Sequence, residues 1–385
     1  VIARSAEAKR DGVKMGILWI QLSQQSFSNE IIAFSSNYEL YASMSARVMN
    51  CLEEMSPRVE QYSIDEMFID VKGIDSCLTY EAFGHKLRDQ VKAWTGLTIG
   101  VGFGPTKTLA KAAQWASKEW PQFKGVLVLS TNNPERTTKL LSLMPVTEIW
   151  GVGGKTANRL YSMGIKTAFD LSRANPSLIR KNFSVVLERT VRELTGECCI
   201  SLEEAPSPKQ QIICSRSFGQ PIKQYADLRQ AICLYAERAA EKLREERQHC
   251  RHISVFIKTS QFIQTDKSYS NTGSEKLIIP TRDTREIVAG SVRALERIWK
   301  DGFRYVKAGV MLNDFTATGI TQFDMFNEVK THPNSEQLMC VVDKINRSGR
   351  GRIWFAGSGV NEKWNMKRGL LSPAYTTRWH DLPKA

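Results

Sequence analysis

The chain has 385 residues, 42% hydrophobic and 24% charged, so wholesale disorder is excluded and two to four domains are expected. Its 53 Lys+Arg against 40 Asp+Glu leave a net charge of +13, which points to a polyanionic partner, a nucleic acid or an anionic membrane surface. No run of ~18 apolar residues exists, so no membrane span is expected, and no signal-peptide pattern opens the chain. In chain order, residues 45–55 (SARVMNCLEEM) set Val48, Leu52 and Met55 at helical spacing and stop before Pro57. PRVEQYSIDEMFIDVKG then predicts two strands around a turn at Ser63–Glu66. Residues 79–94 form a helix with Phe83, Leu87, Val91 and Trp94 on one face. LTIGVGFG is a buried strand, PTKTLAKAAQWASKEW a helix opened by Pro105, and GVLVLS a further strand. Strands alternating with helices predict a sheet covered by helices.

Residues 134–200 predict short helices broken by glycines. Residues 212–312 follow a β-α-β-β-α-β order, a split βαβ arrangement. Residues 313–337 are polar and predict a linker, and the last ~50 residues, with several aromatics, are expected to dock on the body. The eight cysteines form no CxxC pair, so a structural zinc site is not expected and a reducing cytoplasm is the simplest setting. Charge is divided along the chain. Residues 36–150 carry 12 basic and 13 acidic side chains, net −1, whereas residues 216–307 carry 18 and 11, net +7. A near-neutral front half that holds cations and a basic rear half that grips phosphates would produce this division.

Three motifs carry chemistry. Asp65 and Glu66 are adjacent, and adjacent residues in a plain strand point to opposite faces. At a hairpin tip they can converge, and two hard oxygen donors there suit Mg²⁺. A solvated acidic turn is the plainer alternative. Lys107, Lys111 and Lys118 fall within ~40° of each other on one helix, a stripe able to meet a triphosphate or simply a solvated basic face. IWGVGGKTANRL has Gly151, Gly153 and Gly154 in a tight turn before a helix, with Lys155 adding charge. This helix-hairpin-helix pattern offers backbone N–H groups to phosphates without reading bases.

YSIDEMFID, GVGFGPTKTLAKAA, IWGVGGKTANRL and ICSRSFG, in this order, resemble the Y-family translesion DNA polymerases. FSSNYELYASMSARVM, RKNFSVVLERTVRELTGE, RIWFAG and NMKRGLLSPAYTTR extend the resemblance to the UmuC-type branch along nearly the whole chain. It implies an α+β multidomain right hand: fingers 1–35, palm 36–130, helical thumb 131–205, split-βαβ little finger 212–312, and a C-terminal tail at 313–385. It implies error-prone translesion synthesis in the SOS response by two-Mg²⁺ template-directed nucleotidyl transfer. In that reading Asp65 and Glu66 are catalytic metal ligands, and Lys9, Lys111 and Lys118 face the incoming nucleoside triphosphate. Ala6 stands where many relatives carry a tyrosine. Gly151, Gly153, Gly154, Lys155 and Arg216 contact primer-template DNA. Gln322, Phe323, Met325 and Phe326, in QFDMF, resemble a sliding-clamp peptide, with apolar anchors for a groove. A UmuD′ dimer and RecA are the further partners implied, with a cytoplasmic setting. The opening at Val1 reads as a start inside a longer product, past the strand that bears the family's first catalytic aspartate and its aromatic steric gate. Residues 17–31 also depart from the usual G-x-P opening. Impaired activity is therefore expected, and a non-catalytic DNA- and clamp-binding fragment is the alternative.

Overall fold

A computed structural model describes residues 1–385 apart from 25–29, 204–206, 261–266, 318–331, 350, 360–363 and 383–385. It divides into two units, Val1–Pro206 with Leu371–Ala385, and Ser207–Leu370.

The first unit holds ten α-helices and four short strands among the described residues. The order is α1 (Ala6–Arg10), α2 (Trp19–Leu22), α3 (Tyr38–Glu53), β1 (Val59–Gln61), β2 (Met67–Ile69), α4 (Tyr80–Thr95), β3 (Val101–Phe103), α5 (Lys107–Glu119) and β4 (Val126–Val128). Then come α6 (Pro134–Leu143), α7 (Gly154–Ser162), α8 (Ala168–Ser172), α9 (Pro176–Asn182) and α10 (Val185–Leu194). Helix α3 starts seven residues before the predicted Ser45, because the Asn37 side chain accepts from the Leu40 N–H and caps it. Helix α4 buries Phe83, Leu87 and Val91 as the spacing predicts, but Trp94 is exposed one turn beyond the packed region.

The strands form two separate pairs. β1 and β2 are antiparallel, with Val59 opposite Ile69 and Gln61 opposite Met67. β3 and β4 are parallel. Gly102 and Gly104 serve close packing here. A Cβ on Gly102 would lie 2.1 Å from the Gln114 backbone nitrogen, so only glycine lets α5 approach β3 this closely. Two cores result. Cys51, Leu52, Phe83, Leu87 and Val91 pack with Phe103, Val126 and Val128. The buried face of α5, Leu109, Ala112, Ala113 and Ala116, joins the residues of α6 to α10. Leu371–Ala385 returns to this unit: the Asn37 amide donates to the Ser372 carbonyl (2.9 Å), and Arg378 pairs with Glu39 (2.9 Å).

The second unit is one four-stranded sheet under helices. Its order is β5 (Ile212–Ile222), α11 (Tyr225–Glu245), β6 (Gln248–Thr259), β7 (Ser270–Thr281), α12 (Thr284–Glu296), β8 (Tyr305–Ala317) and α13 (Ser335–Arg347). The strands lie in the order β5-β8-β6-β7, all antiparallel, so β8 separates the two strands joined by α11. Ile253, Val255 and Ile257 alternate inward to α11 and α12, with Leu228, Ile232, Leu243, Ile287 and Leu295 in the same core. Strand β8 runs five residues past the predicted end at 312, because Asn313 and Phe315 to Ala317 still pair with β6. Helix α13 docks through Arg244 on Asp343 (2.7 Å) and buries Met339.

Candidate active site and nucleic-acid contacts

The predicted turn between β1 and β2 is present. The Tyr62 and Ser63 N–H groups both donate to the Glu66 carbonyl at 3.1 Å, closing the tip and placing Asp65 and Glu66 side by side on it. The Ser63 hydroxyl donates to Asp65 Oδ1 at 2.7 Å, and the Ser45 hydroxyl donates to the Ile64 carbonyl. Asp65 is exposed and Glu66 half-buried. Asp70 ends the hairpin, paired with Arg58 at 2.8 Å.

Behind the tip, a groove of about 150 Å³ separates the two strand pairs. Met67, Phe68 and Ile69 line one side, Val101 and Phe103 the other, and Asp65, Glu66 and Lys111 also border it. Among the described residues β2 pairs only with β1, and β3 only with β4, so each presents an unpaired edge.

The lysine stripe is not a uniformly solvated face. Lys107 pairs with Glu60 at 2.5 Å, both almost fully buried, and lies 5.0 Å from the Phe68 ring centroid. Lys111 pairs with Glu66. Lys118 is exposed near the end of α5. Lys9 pairs at 2.7 Å with the next residue, Glu119, which brings α1 to the same end of α5. Sequence reasoning passed over Glu60. Its signal was complementary spacing: acids at 60 and 66 flank a hairpin, and lysines at 107 and 111 lie one helical turn apart.

The glycine turn is held from beneath by Ile149, Val152, Ala157 and Leu160. Gly151 sits at φ +85°, a left-handed conformation that favours glycine. Cβ atoms added at Gly151, Gly153 and Gly154 would meet nothing, so the turn and the start of α7 face open space, with Lys155 exposed. Met144 and Thr167 flanks fix the second helix: the Ala168 N–H donates to the Met144 carbonyl, and Thr167 with Asp170 forms a capping box. The backbone N–H groups of Thr167 and Lys166 on Asp170 hold its carboxyl below the usual carboxylate range. Trp150, immediately before the turn, was not singled out by sequence. Its indole N–H donates to the Tyr62 hydroxyl at 3.1 Å, and its ring lies 5.4 Å from Tyr62 and 5.6 Å from Phe68. The glycine turn and the carboxylate hairpin are thus joined by three aromatic rings. Glu193 is a second hidden tie: fully buried, it accepts from the Thr108 N–H (2.9 Å) and hydroxyl (2.7 Å) and from the Ile200 N–H (2.9 Å).

In the second unit, register puts Ser215, Ser217, Lys258, Lys276 and Lys307 on the sheet face opposite the helices. Small residues and lysines on a sheet suit a phosphate backbone. The alternation in HISVFIKTS was the available signal for Lys258. Arg216 projects to the other, helix-covered side, beside Cys214 and Arg238. Gln322, Phe323, Met325 and Phe326 lie outside the described residues. Among the described residues no helix is long and apolar enough to cross a membrane.

The chain combines a hairpin tip bearing two carboxylates, a glycine-turn helix pair and a split-βαβ unit, and comparison with known proteins supplies the class. The profile of the impB/mucB/samB family matches residues 1–114, that of its C-terminal domain 209–325, and a domain of unknown function (DUF4113) 336–385. Protein SamB of Salmonella typhimurium is 66% identical over 385 residues, covering 100% of this chain and 91% of SamB. The chain belongs to the impB/mucB/samB family of Y-family DNA polymerases, which are DNA-directed DNA polymerases. Protein UmuC of Salmonella typhimurium strain LT2 is 50% identical over 384 residues, 99% of this chain and 90% of UmuC. Identity to SamB exceeds that to UmuC, so the comparisons support the group and not UmuC in particular. The fold resembles the Y-family DNA polymerase chimera Dbh-Dpo4(243-245)-Dbh, with TM-score 0.61 and 20% identity over 81% of this chain and 86% of the chimera. Enzymes of this class bind DNA and nucleotides and use a divalent metal.

Proposed function

We propose that the chain performs error-prone translesion DNA synthesis in an SOS-type response, in the cytoplasm, as a UmuC-type polymerase. The carrying observation is the Asp65–Glu66 hairpin tip at the mouth of the groove between β2 and β3, with Lys111 against it. In this reading residues 1–35 are fingers, 36–130 palm, 131–205 thumb and 212–312 little finger.

The carboxylates supply hard oxygen donors of the kind Mg²⁺ takes. Among the described residues no group of three or more potential ligands is assembled. Asp65 and Glu66 therefore fit one side of a metal site, and an extended strand carrying a further carboxylate along the groove would supply the other. A bound Mg²⁺ would neutralise charge at the phosphate undergoing transfer. Lys111, Lys118 and Lys9 neutralise the triphosphate as the primer 3′-hydroxyl displaces pyrophosphate from it. The backbone N–H groups of Gly151, Gly153 and Gly154, with Lys155, hold the duplex phosphates, and the basic sheet face holds others. Arg216 adds positive charge beside that sheet. A UmuD′ dimer, RecA and the sliding clamp are the partners this reading carries, the clamp through Gln322, Phe323, Met325 and Phe326.

The unpaired edges of β2 and β3 favour a second reading, a non-catalytic DNA- and clamp-binding protein. Primer extension across an abasic template site separates the two. A fusion that supplies a carboxylate-bearing strand to the groove should extend primers with Mg²⁺, and Asp65→Ala in that fusion should abolish extension. No extension by either chain, with DNA and clamp binding intact, would establish the second reading instead.

A further inference from the structure

We propose that the Ser207–Leu370 unit carries a phosphate-binding pocket on the helix-covered side of its sheet, formed by Arg216, Arg238, Lys242 and Arg352. The four side chains line one cavity of about 250 Å³ whose walls include Cys214, Tyr235 and Glu241. They come from three places in the chain: the edge strand β5, the middle of α11, and the segment after α13. Their convergence is a tertiary event. Arg352 arrives because α13 is clamped to α11 by the two-pronged Arg244–Asp343 pair and because the following turn is tied down at Glu237.

Pairing distinguishes these cations from their neighbours. In the same unit Arg244 pairs with Asp343, Arg285 with Asp283, and Arg293 and Arg297 with Glu275. Among the described residues no ion pair involves Arg216, Arg238, Lys242 or Arg352. Four cations around one cavity repel each other, and two acids face them. Glu241 lines the cavity. Glu237 lies near Arg238 and Arg352 in the adjoining cavity, where it already accepts from the Phe355 N–H at 3.2 Å and from the Ser358 hydroxyl. With both acids ionised the cluster retains two positive charges, matching a phosphate dianion. Guanidinium forks bind phosphate oxygens in pairs, and Cys214 and Tyr235 provide walls of low polarity that strengthen such contacts. The volume exceeds that of several waters at ~30 Å³ each, so a phosphate group fits with part of its hydration.

The pocket is on the opposite side of the sheet from Lys258, Lys276 and Lys307, so nucleic acid on that face leaves it accessible. It gives a role to the segment matched by the domain of unknown function: Arg352 belongs to it and completes the pocket. Phosphate binding at this pocket is independent of polymerase activity.

The phosphate could be free or part of a nucleic-acid backbone, and the full chain distinguishes these sources. Isothermal titration with inorganic phosphate and with pyrophosphate should give saturable binding. Arg238→Gln and Arg352→Gln should each weaken it about tenfold, the scale of a lost charge-assisted contact, and Lys86→Gln on α4 should leave it unchanged. Lys242→Gln, at an exposed position, guards against misfolding of the arginine variants and should weaken binding in the same direction. If neither anion binds but a single-stranded oligonucleotide loses affinity in the same variants, with a salt slope lower by ~0.7 per cation removed, the pocket takes a backbone phosphate. If the variants alter neither anion nor oligonucleotide binding, the pocket is not a phosphate site.

Discussion

The two units of this chain are both sheet-and-helix structures, but different forces hold them. The first unit has two strand pairs of three residues per strand, and its carboxylate hairpin is fixed by Glu60–Lys107, Glu66–Lys111 and the Tyr62–Phe68–Trp150 rings. The second unit has strands of 11–13 residues in one continuous sheet, and its core is almost entirely apolar. A long antiparallel sheet satisfies its own backbone and buries one whole face. Three-residue strands cannot, so charges and aromatic rings locate the hairpin instead. The exposed Asp65 and half-buried Glu66 stand on the short-stranded scaffold, where rigidity comes from polar ties around the tip rather than from burial of the tip itself.

That contrast can be broken with single substitutions. Glu60→Ala leaves the Lys107 ammonium buried without its partner, and should cost about 3–5 kcal/mol in the first unit. Hydrogen exchange should show the loss in residues 59–69 and 107–119 and none in β5 to β8. Equal loosening of both units would contradict the division. Leu243→Ala is the converse probe. It removes a fully buried side chain from the core under α11 and should cost about 2–5 kcal/mol in the second unit alone, measured by denaturant unfolding with local exchange.

Pairing the open strand edges of the first unit sharpens the comparison further. A strand fused so as to lie between β2 and β3 should stabilise the first unit by at least about 2 kcal/mol, raising its unfolding midpoint by roughly 4–8 °C at this size, and leave the second unchanged. An unchanged first midpoint would mean that the groove does not accept a strand. The smallest effect concerns the helix pair of the glycine turn. Asp170→Asn should cost about 1 kcal/mol or less through the weakened cap. The folded Asp170 carboxyl is held low by the Thr167 and Lys166 N–H groups. Its contribution is therefore full above the unfolded carboxylate value near ~3.9 and declines as pH falls through the lower folded value. The difference between parent and variant in acid-unfolding curves should shrink in that window, and a difference that grew on acidification would contradict the assignment.

Local chemistry made much of this legible without coordinates. Ser63–Glu66 forms the expected turn because apolar strands flank a short polar tip. Gly151 and Gly164 bracket a helix because both adopt φ near +80°, where other residues are strained. The β-α-β-β-α-β order of the second unit follows from hydrophobic periods of two and 3.6 in succession. The exposed Trp94 escaped because helical periodicity tells which face an apolar residue occupies, and not whether anything is packed there.

Order along the chain and the chemical type of each motif were thus properties of the sequence alone, since turns, caps and periodicity depend on neighbours within a few residues. Tertiary structure decided the partners. Glu60 and Lys107 are 47 residues apart, Tyr62 and Trp150 are 88 apart, and Arg216 and Arg352 meet only through the docking of α13. A charge has no period, and its neighbour across a fold is set by how whole elements pack. For that reason the sequence disclosed the carboxylates and the lysines, while only the folded chain disclosed which lysines were bound to acids and which arginines faced an open cavity.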